Sequence, residues 1–178
     1  MAEPRIIKAI IGLGNPGKQY AATRHNIGFC VLDALCDQLG GTWQAHKIFL
    51  EATVMIDDRA LRLIKPQTYM NSSGAVMPEL KKKGIMCDQI LVVHDELQLL
   101  FGHVKYRFSG SARGHNGLKS IMQQCGQEFG RICCGIGRPE HQDEVSNYVL
   151  QPFTESAHEV EAMQHKAIDL ILHILRQE

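Results

Sequence analysis

IIKAIIGLGNPG (Ile6–Gly17) joins a strand-length apolar run to a literal G-x-G-x-x-G spanning Gly12 to Gly17. Its reading decides between a dinucleotide-binding fold and another kind of α/β protein. A dinucleotide fingerprint needs a helix that begins inside the motif and aims its N-terminus at a pyrophosphate. Here Pro16 and Gly17 favour a turn, and the first convincing helical pattern starts only at Ile27. The fingerprint also needs an acidic residue about 20 positions on, ending a second strand. Asp33 and Asp37 instead fall inside a helical pattern. We therefore read Ile6–Ile11 as a strand and Gly12–Gly17 as a tight turn that presents Asn15, and we set aside a nicotinamide or flavin site.

Outward from that strand, further strand-like runs lie at Phe49–Ile56, Leu61–Ile64, Ile90–Val93, Val104–Phe108 and Ile132–Ile136. Helical patterns lie at Ile27–Leu39, Leu118–Cys125 and Ser156–Leu175. The last carries an apolar stripe of Val160, Met163, Ala167, Leu170, Ile171, Ile174 and Leu175, and Ser156 with Glu159 is placed as a capping box at its start. A weaker helix over Ser73–Lys83 requires Pro78 to fall in its first turn. Alternation of this kind implies an α/β fold, a mixed twisted β-sheet flanked by α-helices. With neither repeats nor a linker, residues 1–178 are expected to form a single domain.

Apolar residues make up 44% and charged residues 21%, which suits a soluble globular chain. No apolar run reaches the roughly 18 residues of a membrane helix, and the first strand begins too early to leave room for a signal peptide. The expectation is a cytoplasmic protein without membrane contact. Cys30, Cys36, Cys87, Cys125, Cys133 and Cys134 show no CxxC spacing and are expected to be buried thiols. The zero net charge conceals an asymmetry. Residues 103–140 hold six Lys/Arg against two Asp/Glu, whereas residues 141–178 hold two against seven. A basic middle of this kind suits a polyanion.

The polar motifs fall just past the strands. Asn15 follows the first, Asn71 follows Leu61–Ile64, and Asp95 follows Ile90–Val93. Ligands bind beyond the carboxyl ends of parallel strands, so these three meet at one edge if their strands run parallel. Thr23-Arg24-His25-Asn26 precedes the first helix, with Asn26 as its expected N-cap. A His near an Asp has its tautomer fixed and its cation stabilised, which makes His25 with Asp95 a candidate general base. Asn71 and Asn116 each stand where a helix begins, as caps or as neutral groups that hold a carbonyl or a water. There is no G-x-S-x-G elbow, and Cys133-Cys134 lie in a strand-like run, so covalent catalysis finds little support. His94, Asp95 and His115 could gather at a metal, but no zinc-like ligand spacing is present, and no metal or other cofactor is expected.

Taken together, GLGNPGKQY (12–20), TRHNIG (23–28), KPQTYMNSSG (65–74), VVHDEL (92–97), SARGHNGLKS (111–120) and GIGRP (135–139) resemble the bacterial-type peptidyl-tRNA hydrolase family. The blocks come in the family's order over roughly residues 6–150. The resemblance implies hydrolysis of the ester joining a peptide to the terminal ribose of tRNA, which recycles the tRNA. On matching positions it implies that His25 is the base and that Asp95 orients it. Asn15, Asn71 and Asn116 then position substrate and water, Tyr20, Met70 and His115 line the peptide end, and Lys105 and Arg107 hold tRNA. The family's second Arg in R-x-R-I-G-I-G is Cys133 here, so one tRNA contact implied by the resemblance is either missing or moved to Arg113, in a loop that looks more like the eukaryotic branch. Peptidyl-tRNA is the expected partner of a monomer that has no obligate protein partner. The resemblance also extends to RNA- and protein-binding members that hydrolyse nothing, which is the alternative reading.

Overall fold

The computed structural model describes residues 6–178; the first five residues of the expected domain lie outside it. Seven strands form one mixed sheet. They are β1 (Ala9–Gly12), β2 (Gln44–Ala45), β3 (Phe49–Ile56), β4 (Arg59–Pro66), β5 (Ile90–Glu96), β6 (Val104–Phe108) and β7 (Gly130–Gly135), in the order β2-β3-β4-β1-β5-β7-β6. The four central strands, β4, β1, β5 and β7, run parallel, while β2, β3 and β6 are antiparallel to their neighbours. The condition set by the sequence is therefore met: the turns after β1, β4 and β5 share one edge.

The burial pattern shows why these runs became strands. β1 and β5 are buried at every position, as expected for parallel strands covered on both faces. β3 alternates toward its exposed end, as an outer antiparallel strand does. On one face α1 (Ile27–Gln38) and α5 (Ala157–Arg176) enclose a core that includes Leu32, Leu35, Ile168 and Ile171. On the other, α2 (Met77–Lys82) and α3 (Asn116–Cys125) cover Ile11, Ile64, Val92 and Phe129. Each fully buried Leu, Ile or Phe of these layers contributes about 1.5–3 kcal/mol relative to exposure.

The capping box at α5 forms as read: Ser156 Oγ accepts from the Glu159 amide at 3.2 Å, and the Glu159 carboxylate accepts from the Ser156 amide at 2.9 Å. Pro78 falls in the first turn of α2, where its missing N–H costs nothing. The weak helix is shorter than expected because Met70–Val76 is a kinked 3-10 segment. β2 and the five-residue α4 (Val145–Val149) carry too few residues to show a period in the sequence.

Two expectations need correction. Cys87 and Cys125 are not thiols but a disulfide, with Cα atoms 5.6 Å apart. They lie 38 residues apart in sequence, at the turn before β5 and at the end of α3, so only the folded chain shows that they meet. Cys36, Cys133 and Cys134 are buried thiols as read, and Cys30 is a partly exposed one. Asn26, in turn, makes no side-chain cap on α1; its partners are described below. Among the described residues no helix is long and apolar enough to cross a membrane.

Candidate active site

Two glycines bring the site's helices down onto the sheet. A Cβ on Gly28, at the start of α1, would lie 2.4 Å from the Val93 carbonyl oxygen, so only glycine lets this helix end approach β5. Gly74 is equally constrained by the Ser120 carbonyl oxygen, which a Cβ would approach to 2.1 Å, and its amide donates to Ser120 Oγ at 2.8 Å. The first contact seats the 3-10 turn Arg24–Asn26 over the end of β5, and the second locks the segment after β4 to α3. Between them lies a cavity of about 370 Å³ lined by Asn15, His25, Met70, Asn71, Asp95 and His115, among others.

Asp95 is the hub. It is 3% exposed. Its Oδ2 accepts from His25 Nδ1 at 2.8 Å, and its Oδ1 accepts from His115 Nε2, also at 2.8 Å. Tautomers follow from the partners. His115 Nδ1 accepts the amides of Gly117 (3.1 Å) and Leu118 (3.4 Å) as the N-cap of α3, so its proton sits on Nε2. His25 donates Nδ1–H to the carboxylate, which leaves the Nε2 lone pair free in the cavity wall. Burial alone would lower the His25 pKa, but the Asp95 charge and hydrogen bond outweigh it and raise the pKa. Burial would likewise raise the Asp95 pKa; the two imidazoles beside it hold it well below the ordinary value instead.

His94 points elsewhere. Its Nδ1 donates to the Asp95 carbonyl oxygen at 2.7 Å, and its Nε2 lies 3.5 Å from Cys133 Sγ. Burial, with His115 beside it, pushes its pKa down to about 3, so it is a neutral packing residue at the back of the site. The metal set considered from the sequence (His94, Asp95, His115) is thus not assembled. His25, Asp95 and His115 do bring ligand-type atoms within 4.8 Å, but the nitrogens facing Asp95 are engaged as N–H donors to its carboxylate.

The amides divide into two kinds. Asn15 is buried; its backbone N–H donates to Asn26 Oδ1 and its carbonyl accepts from Asn26 Nδ2, both at 2.9 Å. One amide side chain thereby matches both backbone groups of the turn, which is why Asn26 is diverted from capping. Asn15 Oδ1 accepts from the Met70 amide at 2.7 Å, so the group it can offer the cavity is its Nδ2 donor. Asn71 and Asn116 are exposed at the lip, and the cap of α3 is His115, not Asn116. Tyr20 does not line the cavity; it packs edge-on against Tyr69, which does, with ring centroids 6.4 Å apart. Sequence reasoning missed Tyr69 and the wall formed by Val145, Ser146, Val149 and Leu150 of the α4 region. A wall of one helical turn leaves no periodic signal.

The basic residues separate as well. Arg113 lies exposed at the lip of the cavity, where its guanidinium bonds Gln98 Oε1. Arg107 belongs to a second cavity of about 270 Å³ beside the first, with Arg131 and Glu96. Lys105 is exposed on the edge strand β6, outside both linings. Arg131 is buried and donates to the carbonyls of Gly110 and Ser111, so it builds the 109–113 loop. Cys133 is 1% exposed, and burial with Glu96 nearby pushes its thiol up to about 11. The side chain at this position turns inward to His94.

A carboxylate-held imidazole with a free lone pair, an amide donor and a cleft with one apolar wall are an arrangement able to accept a proton beside a bound carbonyl. The family model for peptidyl-tRNA hydrolase matches residues 9–178. A peptidyl-tRNA hydrolase from Sulfurihydrogenibium is 45% identical over 174 residues, covering 96% of this chain and 92% of its own. Another from a Mycobacterium strain is 44% identical over 158 residues, covering 86% and 81%. The crystal structure of peptidyl-tRNA hydrolase from Acinetobacter baumannii superposes with a TM-score of 0.86 at 35% identity, covering 96% of this chain and 89% of that one. The chain belongs to the peptidyl-tRNA hydrolase family.

Proposed function

We propose that the chain hydrolyses the ester between a peptide and the terminal ribose of tRNA, with His25 as general base. The observation that carries this reading is the Asp95 carboxylate bonded to His25 Nδ1, which leaves Nε2 as the acceptor. In the reaction, His25 Nε2 takes a proton from water as the water oxygen attacks the ester carbonyl carbon. Negative charge builds on the carbonyl oxygen, where the amide donors of Asn15 and Asn71 stabilise it. Collapse breaks the bond to the ribose oxygen, and the imidazolium returns its proton there. The products are a peptide carboxylic acid, which loses its proton to solvent at neutral pH, and a tRNA with its hydroxyl restored. Asp95 stabilises the imidazolium that exists between the two transfers.

Met70, Val149 and Leu150 give the peptide an apolar wall, and Asn116 and His115 border it. Arg113 at the lip and Arg107 in the adjoining cavity, with Lys105 on the strand edge, take the phosphates of the acceptor stem. Phosphate contacts position without specifying sequence, in keeping with an enzyme that must accept many tRNAs. A monomer working in the cytoplasm without cofactor completes the proposal.

The test is turnover of a defined N-blocked aminoacyl-tRNA against the free aminoacyl-tRNA. Cleavage of the blocked form by the wild type, lost in His25→Ala, is the expected result. Near-wild-type cleavage by His25→Ala would remove His25 from its role. Tight tRNA binding by the wild type without any cleavage would favour the non-catalytic alternative.

A further inference from the structure

Arg24 stands beside the base in sequence, and neither capping nor the hydrolytic steps use it. It is 3% exposed, an unusual position for a guanidinium. Its backbone amide donates to the Gln151 carbonyl at 3.0 Å, and its Nη1 donates to the Tyr148 carbonyl at 2.9 Å. Its guanidinium carbon stands 3.9 Å from the centroid of the Tyr148 ring. The Tyr148 hydroxyl in turn donates to the Ile136 carbonyl, just past β7, at 2.6 Å. Thr23 and Pro152 add an isolated antiparallel bridge. Two side chains, Arg24 and Tyr148, thus join three separate pieces: the turn carrying His25, the α4 region that walls the cavity, and the exit of β7.

We infer that Arg24 is a positioning residue: through Tyr148 it holds the α4 wall, and with it Val145, Val149 and Leu150, over the cleft at the His25 turn. The inference rests on the proposed hydrolysis and goes beyond it by coupling the peptide wall to the turn of the base. The two ends of the strut are not held equally. His25 keeps its orientation without Arg24, because Asp95 holds the ring and the Asn26–Asn15 pair holds the turn. The α4 wall has only five helical residues, and within it only Val149 is buried. Cutting the strut leaves the backbone ties at Gln151 and Pro152, just past the helix, and should therefore loosen the helical part of the wall while the base stays in place.

That asymmetry sets the kinetic signature. A wall seated only a tenth of the time reduces apparent substrate affinity about tenfold. Arg24→Lys keeps the charge but loses the planar fork and the stack; Tyr148→Leu removes the ring that Arg24 stacks on and the hydroxyl. Each is expected to raise KM for an N-blocked aminoacyl-tRNA about tenfold with kcat within about twofold, and the double variant to add little to either single one. Amide exchange over residues 145–151 should accelerate in all three variants while exchange in β1 and β5 stays unchanged. A merely structural role would lower the folded fraction and hence kcat at constant KM. That pattern, or unchanged exchange at 145–151, would overturn the inference. A wild type that cleaves nothing would defeat the proposed function instead, and the exchange measurement would still decide the strut.

Discussion

The cavity around Asp95 and the cavity around Arg131 share His94, Glu96, Ala112 and Arg113 as lining, yet they hold charge in different ways. In the first, one buried carboxylate meets two imidazole N–H groups, and every tautomer follows from a bonded partner. In the second, Arg107, Arg113 and Arg131 stand against Glu96, and of the three only Arg131 is buried and bound to backbone carbonyls. Moving a proton demands a fixed lone pair at a fixed distance, and small misplacements are costly. Attracting phosphates demands only positive charge within a screening length, which flexible side chains supply. Substitutions in the first cavity should thus act on kcat and on the pH profile, and those in the second on KM and on salt dependence.

Asp95→Asn tests this most severely. A carboxylate accepts from both histidines, whereas an amide accepts on one side and donates on the other. One of the two N–H groups must then face a donor, or His25 must switch tautomer and lose the free Nε2 lone pair. We expect kcat to fall by about 10²–10⁴, the range attached to a general base and its orienting acid. The pH profile gives the sign. The Asp95 charge raises the His25 pKa against burial, and the base must be unprotonated to act. In the wild type the rate therefore rises with pH through an inflection above the ordinary histidine value of about 6.5. Without the charge, burial prevails, and the inflection moves to lower pH as the plateau falls. An unchanged inflection in Asp95→Asn would show that the carboxylate does not tune His25.

Arg107→Gln probes the other cavity with a smaller effect. Removal of one phosphate contact lowers the slope of log affinity against log salt by about one. KM should rise at moderate salt, converge on the wild-type value at high salt, and leave kcat unchanged. A fall in kcat at saturating substrate would break the division between the two cavities.

The same division explains how much the sequence made legible. Asn15, Asn71 and Asp95 read as sharing one edge because each follows an apolar run, and the parallel register of β4, β1 and β5 brings them together. His25 and Asp95 read as a pair on the chemistry of their side chains, and the 2.8 Å bond agrees. What escaped depended on partners distant in the chain. Asn26 reads as a cap until the Asn15 backbone supplies a better pair of partners. His115 reads as a cleft residue, although its two nitrogens join α3 to Asp95. Cys87 and Cys125 read as two ordinary thiols because 38 residues separate them. Periodicity reports which face of an element is buried; it carries no record of which side chain on another element completes a hydrogen bond.

Cys133 lines the second cavity and meets His94, which lines both, and the smallest effect is expected there. Its thiol, pushed up to about 11, stays protonated at neutral pH and stands 3.5 Å from His94 Nε2, while His94 Nδ1 bonds the Asp95 carbonyl. Cys133→Ser keeps a donor of similar size, and the kinetic constants and melting temperature should stay close to wild type. Cys133→Val removes the donor and leaves a buried ring nitrogen without a partner, a loss of about 1–3 kcal/mol in stability. Its kcat should nonetheless hold, because His94 meets the Asp95 backbone and the edge of the His115 ring and makes no hydrogen bond to His25. Thermal melts and steady-state kinetics on both variants separate these outcomes. If Cys133→Val lowered kcat in proportion to its loss of stability, His94 would be transmitting strain from one cavity to the other, and the two would have to be treated as one site.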